Sequence, residues 1–121
     1  MVTALQQQDR LHYAEVYASD ILELKNFFLQ QFGLDMINEN FGIPFLLSKK
    51  ENRIVAFASL IINKDHQIGF EIYGNSEVGE IEKEDFKAKV IHYCKENRSE
   101  NFTDLDELKY NIRRMVNWLN N

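Results

Sequence analysis

Glu71 and Tyr73 stand two residues apart in the segment Gln67 to Tyr73, where apolar and polar residues alternate. A strand there, with its side-chain period of two, puts Ile68, Phe70 and Ile72 inward and Gln67, Glu71 and Tyr73 on the outer face. A carboxylate held on a strand can serve as a general base, so Glu71 with Tyr73 is the first candidate pair. His66, in the turn just before, is the third candidate. The pattern itself favours a plainer reading, the solvated outer face of an edge strand, where charge discourages aggregation.

The other reactive residue types are scattered. His12, His66 and His92 fall on a strand, a turn and a helix, with no metal-ligand spacing, so no metal site is expected. His92 and Glu96 make one i,i+4 pair, ordinary for a helix surface. Cys94 falls on the apolar face of its helix with Phe86, Val90 and Tyr93, which suits an inert, buried thiol better than a nucleophile. Lys109, Arg113 and Arg114 sit where cations favour a helix C-terminus. No G-x-S-x-G, P-loop, C-x-x-C or dinucleotide fingerprint is present. No residue is therefore assigned a catalytic role, and no cofactor is expected.

The bulk numbers narrow the classes. The chain has 121 residues, the size of one domain over 1–121. Apolar residues are 45% and charged residues 27%, which separates it from disordered chains. The net charge is −5, with acids in excess in both halves. An acidic surface repels nucleic acid and anionic lipid, so neither partner is expected. One cysteine cannot form an internal disulfide. Met1 to Arg10 does not read as a signal peptide, and Ile54 to Ile62 is too short an apolar run to cross a bilayer. The expected location is the cytoplasm.

The elements that must position these residues follow from periodicity. Residues 1–9 read as a polar lead-in. Leu11 to Ala18 reads as a first strand, with Leu11, Tyr13 and Tyr17 on one side. Ser19 or Asp20 starts a helix that runs to Phe32, buries Ile21, Leu24, Phe28 and Phe32, and ends at Gly33. After a loop, Phe45 to Ser48, Arg53 to Ile62 and Gln67 to Tyr73 read as three strands joined by short polar turns. The middle one is apolar on both faces and hence central. Glu82 to Asn97 is a helix, Arg98 to Phe102 a link, and Thr103 the cap of a last helix. There, Leu105, Leu108, Ile112, Met115 and Leu119 form a packing seam. The fold class is α+β: an antiparallel meander of about four strands, one helix after the first strand, and two C-terminal helices.

The order strand, helix, loop and meander resembles the N-terminal half of GNAT-type N-acetyltransferases. The resemblance is carried by Ala14–Phe32 and by Phe45–Leu46–Leu47–Ser48 followed by Asn52–Arg53–Ile54–Val55–Ala56–Phe57–Ala58, with Ala56 where that family often has Gly. It covers Leu11 to Tyr73. It implies an acetyl-CoA pyrophosphate gripped by a Gly-rich loop at the next helix N-terminus. At that place this chain has one glycine, Gly79, among Glu77, Glu80, Glu82, Glu84 and Asp85, which suit a helix N-terminus but repel pyrophosphate.

The leading expectation is a small, acidic, non-enzymatic binding or interaction module, GNAT-like in part but without cofactor binding. Its partner would be another protein or a second copy met through the last helix. The alternative is a small acyl-CoA-dependent N-acyltransferase or acyl-CoA binder using Glu71, Tyr73 and His66. A third is an acidic inhibitor or immunity-type protein that masks a basic partner.

Overall fold

In the computed structural model, which describes residues 11–121, the elements run β1 (His12–Glu15), α1 (Ile21–Phe32), β2 (Ile43–Lys50), β3 (Arg53–Ile62), β4 (Ile68–Gly74), α2 (Glu80–Glu96), α3 (Glu100–Thr103) and α4 (Leu105–Leu119). The polar lead-in read over residues 1–9 lies outside the described residues. The strands form one antiparallel sheet in the order β1-β2-β3-β4. The α+β class, the meander, the helix after the first strand and the C-terminal helices are as the sequence predicts. A short helix, α3, replaces the link before the last one.

Turn chemistry fixes the strand registers. Glu51 and Asn52 both have positive φ, 54° and 67°. This two-residue turn has the twist that joins antiparallel strands. The β3–β4 turn is organised by Asn63, whose side-chain oxygen accepts the N–H groups of Asp65 (2.9 Å) and Gln67 (3.0 Å). His66 takes the left-handed position of that turn, φ 61°.

β3 is central and covered on both faces. One layer gathers Ile21, Leu24 and Phe28 of α1 with Phe41, Leu47, Phe57, Tyr73 and Leu119. The other gathers Phe45, Leu46, Ala58 and Leu60 with Phe86 and Val90 of α2 and Leu108 and Ile112 of α4. A register shift between Pro44 and Leu46 marks a bulge in β2, which lets the neighbours Phe45 and Leu46 serve the same layer. Phe28, Phe41, Phe57 and Phe86 are wholly buried. Each contributes about 1.5–3 kcal/mol of transfer free energy.

Several boundaries differ from the sequence reading. β1 stops at Glu15 because the Tyr17 N–H donates to the Asp20 carboxylate (2.9 Å) and turns the chain into a 3-10 turn at Ala18–Asp20. Tyr17 is thereby exposed, and does not share a strand face with Leu11 and Tyr13. Phe32 is half exposed at the end of α1, where Gly33 caps the helix at φ 61°. α4 is capped by Asp104, not Thr103: its carboxylate accepts the Glu107 N–H (3.2 Å). Tyr73 is the main correction. It is 8% exposed and packs inward, because β4 is covered by α1 as well as α2.

The α4 seam serves this chain's own core. Leu108, Ile112 and Leu119 are buried there, with Leu105 and Met115 partly covered. The Asn120 side chain then makes two hydrogen bonds of 3.0 Å to the backbone of Ile37, fixing the loop after α1 against the end of α4.

A candidate ligand cleft beside Glu71

The loop between α1 and β2 creates the main concavity beside the candidate residues. Gly33 redirects the chain at the end of α1. Asn38 caps a 3-10 turn at Glu39–Phe41 by accepting the Asn40 N–H through its side chain (2.9 Å). Gly42 then brings the backbone against Leu60 at φ 63°, where a Cβ would overlap the Leu60 carbonyl oxygen. Between this loop, α1 and β4 lies a cleft of about 580 Å³ lined by Phe28, Phe32, Leu34, Asn38, Asn40, Ile61, Glu71 and Tyr73.

Aromatic rings build its wall. Tyr73 meets Phe28 edge-on at 5.2 Å between centroids and Phe32 at 5.6 Å. The Tyr73 hydroxyl donates to the Asn40 backbone carbonyl. Burial, then the neighbouring Glu71 charge, push its pKa up to about 12. A neutral, engaged phenol of this kind orients the wall; it does not deliver protons at neutral pH.

Glu71 is exposed on the rim and shares the α1 face of β4 with Tyr73. Its cross-strand neighbour on β3 is Ser59, which is neutral. The two ion pairs among the described residues both belong to Arg53, with Glu51 and Glu77. Neither involves Glu71, which is the one charged side chain lining this cleft among the described residues. Toward α2 it borders a second cleft together with Lys83, Glu84 and Lys87.

His66 goes elsewhere. It lines a separate cleft of about 360 Å³ with Asn63, Asp106, Lys109 and Arg113. Asn40 borders both clefts. The structure therefore joins Glu71 with Tyr73 and leaves His66 on the other side of the 3-10 turn. His12 of β1 pairs opposite Lys49 of β2, and His92 lies in the groove between β1 and α2. Among the described residues, no three His, Cys, Asp or Glu side chains gather to hold a metal ion. Cys94 is half buried, and burial pushes its thiol pKa up.

The acids after β4 have structural work. Glu77 pairs with Arg53, Glu82 accepts the Gly79 N–H at the start of α2 (2.9 Å), and Asp85 accepts the Tyr13 hydroxyl (2.6 Å). The Glu82 carboxylate therefore sits at the helix N-terminus where the acetyltransferase resemblance implies a phosphate grip.

Phe28, Phe32, Asn38 and Asn40 complete the cleft, and sequence reasoning did not find them as a group. The available signal was the run Asn38–Glu39–Asn40–Phe41–Gly42, rich in turn-forming residues.

No protein-family model, no curated protein and no solved structure matches this chain. Among the described residues, no helix is long and apolar enough to cross a membrane.

Proposed function

We propose that this chain is a non-enzymatic binding module whose Glu71 cleft holds a cationic group carried on an apolar body. The observation behind the reading is that Glu71 is, among the described residues, the one charged side chain lining an aromatic cleft. An ammonium or guanidinium there gains a counter-charge, and its apolar stem gains the Phe28, Phe32 and Tyr73 surface. The overall charge of −5 draws cations toward the protein. Kinship with the N-terminal half of acetyltransferases is part of the proposal, with the cofactor grip replaced by the Gly79–Glu82 cap. A cytoplasmic location belongs to it as well.

Calorimetric titration with phenethylammonium at low ionic strength tests the reading, because low salt leaves charge attraction unscreened. A dissociation constant of about 1 mM is expected for a ligand this small. Phenethyl alcohol should bind about tenfold more weakly, and Glu71→Gln should erase that difference. Equal affinity for the ammonium and the alcohol in the unaltered protein contradicts a cation site.

The acyltransferase alternative draws support from the same cleft, since Glu71 with Asn38 and Asn40 offers a base beside polar groups. Saturable one-to-one binding of acetyl-CoA at micromolar strength would put that reading first.

A further inference from the structure

Among the described residues β4 is the outer strand of the sheet with no strand on its far side, and it borders the Glu71 cleft. Its pairing with β3 runs from Ile68 to Gly74 with no register shift. It contains no proline, and its one charged residue is Glu71. Edge strands are usually blunted by shortness, charge, bulges, proline or a cover. Among the described residues β4 has of these the single charge of Glu71, which a cationic partner residue would answer. The opposite edge differs. β1 has four residues and is latched to α2 through Tyr13–Asp85 and Tyr93–Glu15 (3.1 Å), with the Lys89 ammonium 4.9 Å from the centre of the Tyr13 ring.

Clefts flank β4 on both faces. The Glu71 cleft lies toward α1, and a second of about 430 Å³ lies toward α2, lined by Phe70, Ile72, Lys83, Glu84 and Lys87 and bordered by Glu71 as well. A strand added at this edge would send alternate side chains into each. We infer that β4 takes up an extended segment of a partner protein by strand addition, with a lysine or arginine of that segment opposite Glu71. This rests on the cation reading of the cleft and names the class of partner.

Charge selects the occupant. A residue directly opposite Glu71 lies about 4.5–5.5 Å away between Cβ atoms, close enough for sign to matter. Ser59, on the inner side, supplies no counter-charge. A second copy pairing over all of β4 would set Glu71 against Glu71, because Glu71 is the middle residue of Ile68–Gly74. Like charges directly opposed disfavour that pairing. A basic residue flanked by small apolar ones suits this edge. The cation goes to the α1 face, where Glu71 is the one charged group lining the cleft among the described residues. Its neighbours meet Phe70 and Ile72 on the α2 face, leaving Lys83, Glu84 and Lys87 at the rim without a further cation among them.

The test is fluorescence anisotropy with the labelled peptide Ser-Thr-Val-Lys-Val-Thr-Ser at low salt. The expected dissociation constant is about 100 μM. N-methylating alternate peptide amides should abolish binding in one phase and spare it in the other, since every second N–H faces the ladder. Changing the peptide lysine to glutamate should weaken binding about tenfold, and Glu71→Lys should reverse the preference. Equal tolerance of both N-methyl phases overturns strand addition. So does a protein that dimerises through β4 in sedimentation. If phenethylammonium binds and the peptide does not, the inference falls while the cation cleft stands; if neither binds, both fall.

Discussion

The Tyr73 hydroxyl donates to the backbone carbonyl of Asn40, 33 residues earlier in the chain. One hydrogen bond thus ties the sheet's outer strand to the 3-10 turn between the two clefts. It holds the ring against Phe28 and Phe32, with Glu71 as the charged group beside it.

The surroundings of Tyr73 have a pH consequence. Burial, then Glu71, raise the Tyr73 pKa to about 12, against about 10 in an unfolded chain. The native state therefore holds this proton more tightly. The associated stability is complete below pH 10 and is lost as pH rises from 10 toward 12. Tyr73→Phe should cost about 1 kcal/mol at neutral pH through the lost hydrogen bond. Tyr13 and Tyr93 are also raised, so the variant should keep their alkaline loss but show a shallower decline than the unaltered protein. Urea unfolding at stepped pH reads both effects.

Phe57 lies wholly buried in β3 between Phe27, Phe41 and Tyr73. Phe57→Ala should cost about 3–5 kcal/mol by removing the ring and leaving a cavity. A loss below about 1 kcal/mol in urea unfolding contradicts a central β3.

Gly42 combines positive φ with backbone contact at Leu60. Gly42→Ala should destabilise by about 1–3 kcal/mol, because the methyl group must displace backbone and not a flexible side chain. Gly33 also has positive φ but open space around it. Gly33→Ala should cost about 1 kcal/mol, and thermal unfolding of the two variants should rank them in that order.

Ile112 sits in the layer between the sheet and α4. Ile112→Asp places a carboxylate in that layer and should lower the melting temperature by the same amount at every protein concentration. A shift that depends on concentration would mean that the seam joins two chains.

The strands and helices were legible because burial on each face writes its own period. β3 is apolar on both sides, and α4 repeats at helical spacing. Tyr73 departs from its predicted outward place because alternation shows which residues share a face but not whether that face is covered. The cover comes from α1, more than forty residues earlier. β1 is shorter than its alternation predicts because the Asp20 carboxylate competes locally for the Tyr17 N–H. The pair Glu71 and Tyr73 was visible as two residues on one strand. The cleft around them was not, since Phe28, Phe32, Asn38 and Asn40 reach it through a loop whose path depends on Gly42 and on Asn120 of the far terminus.

The central claim is that Glu71 marks a cation site, and amide NMR during a phenethylammonium titration tests it most directly. Up to about 10 mM ligand, a range that covers weak binding, the account predicts saturable shifts at Leu34, Asn38, Asn40, Glu71 and Tyr73, lost in Glu71→Gln. Shifts gathered instead around His66, Lys109 and Arg113, or unchanged in Glu71→Gln, would contradict it.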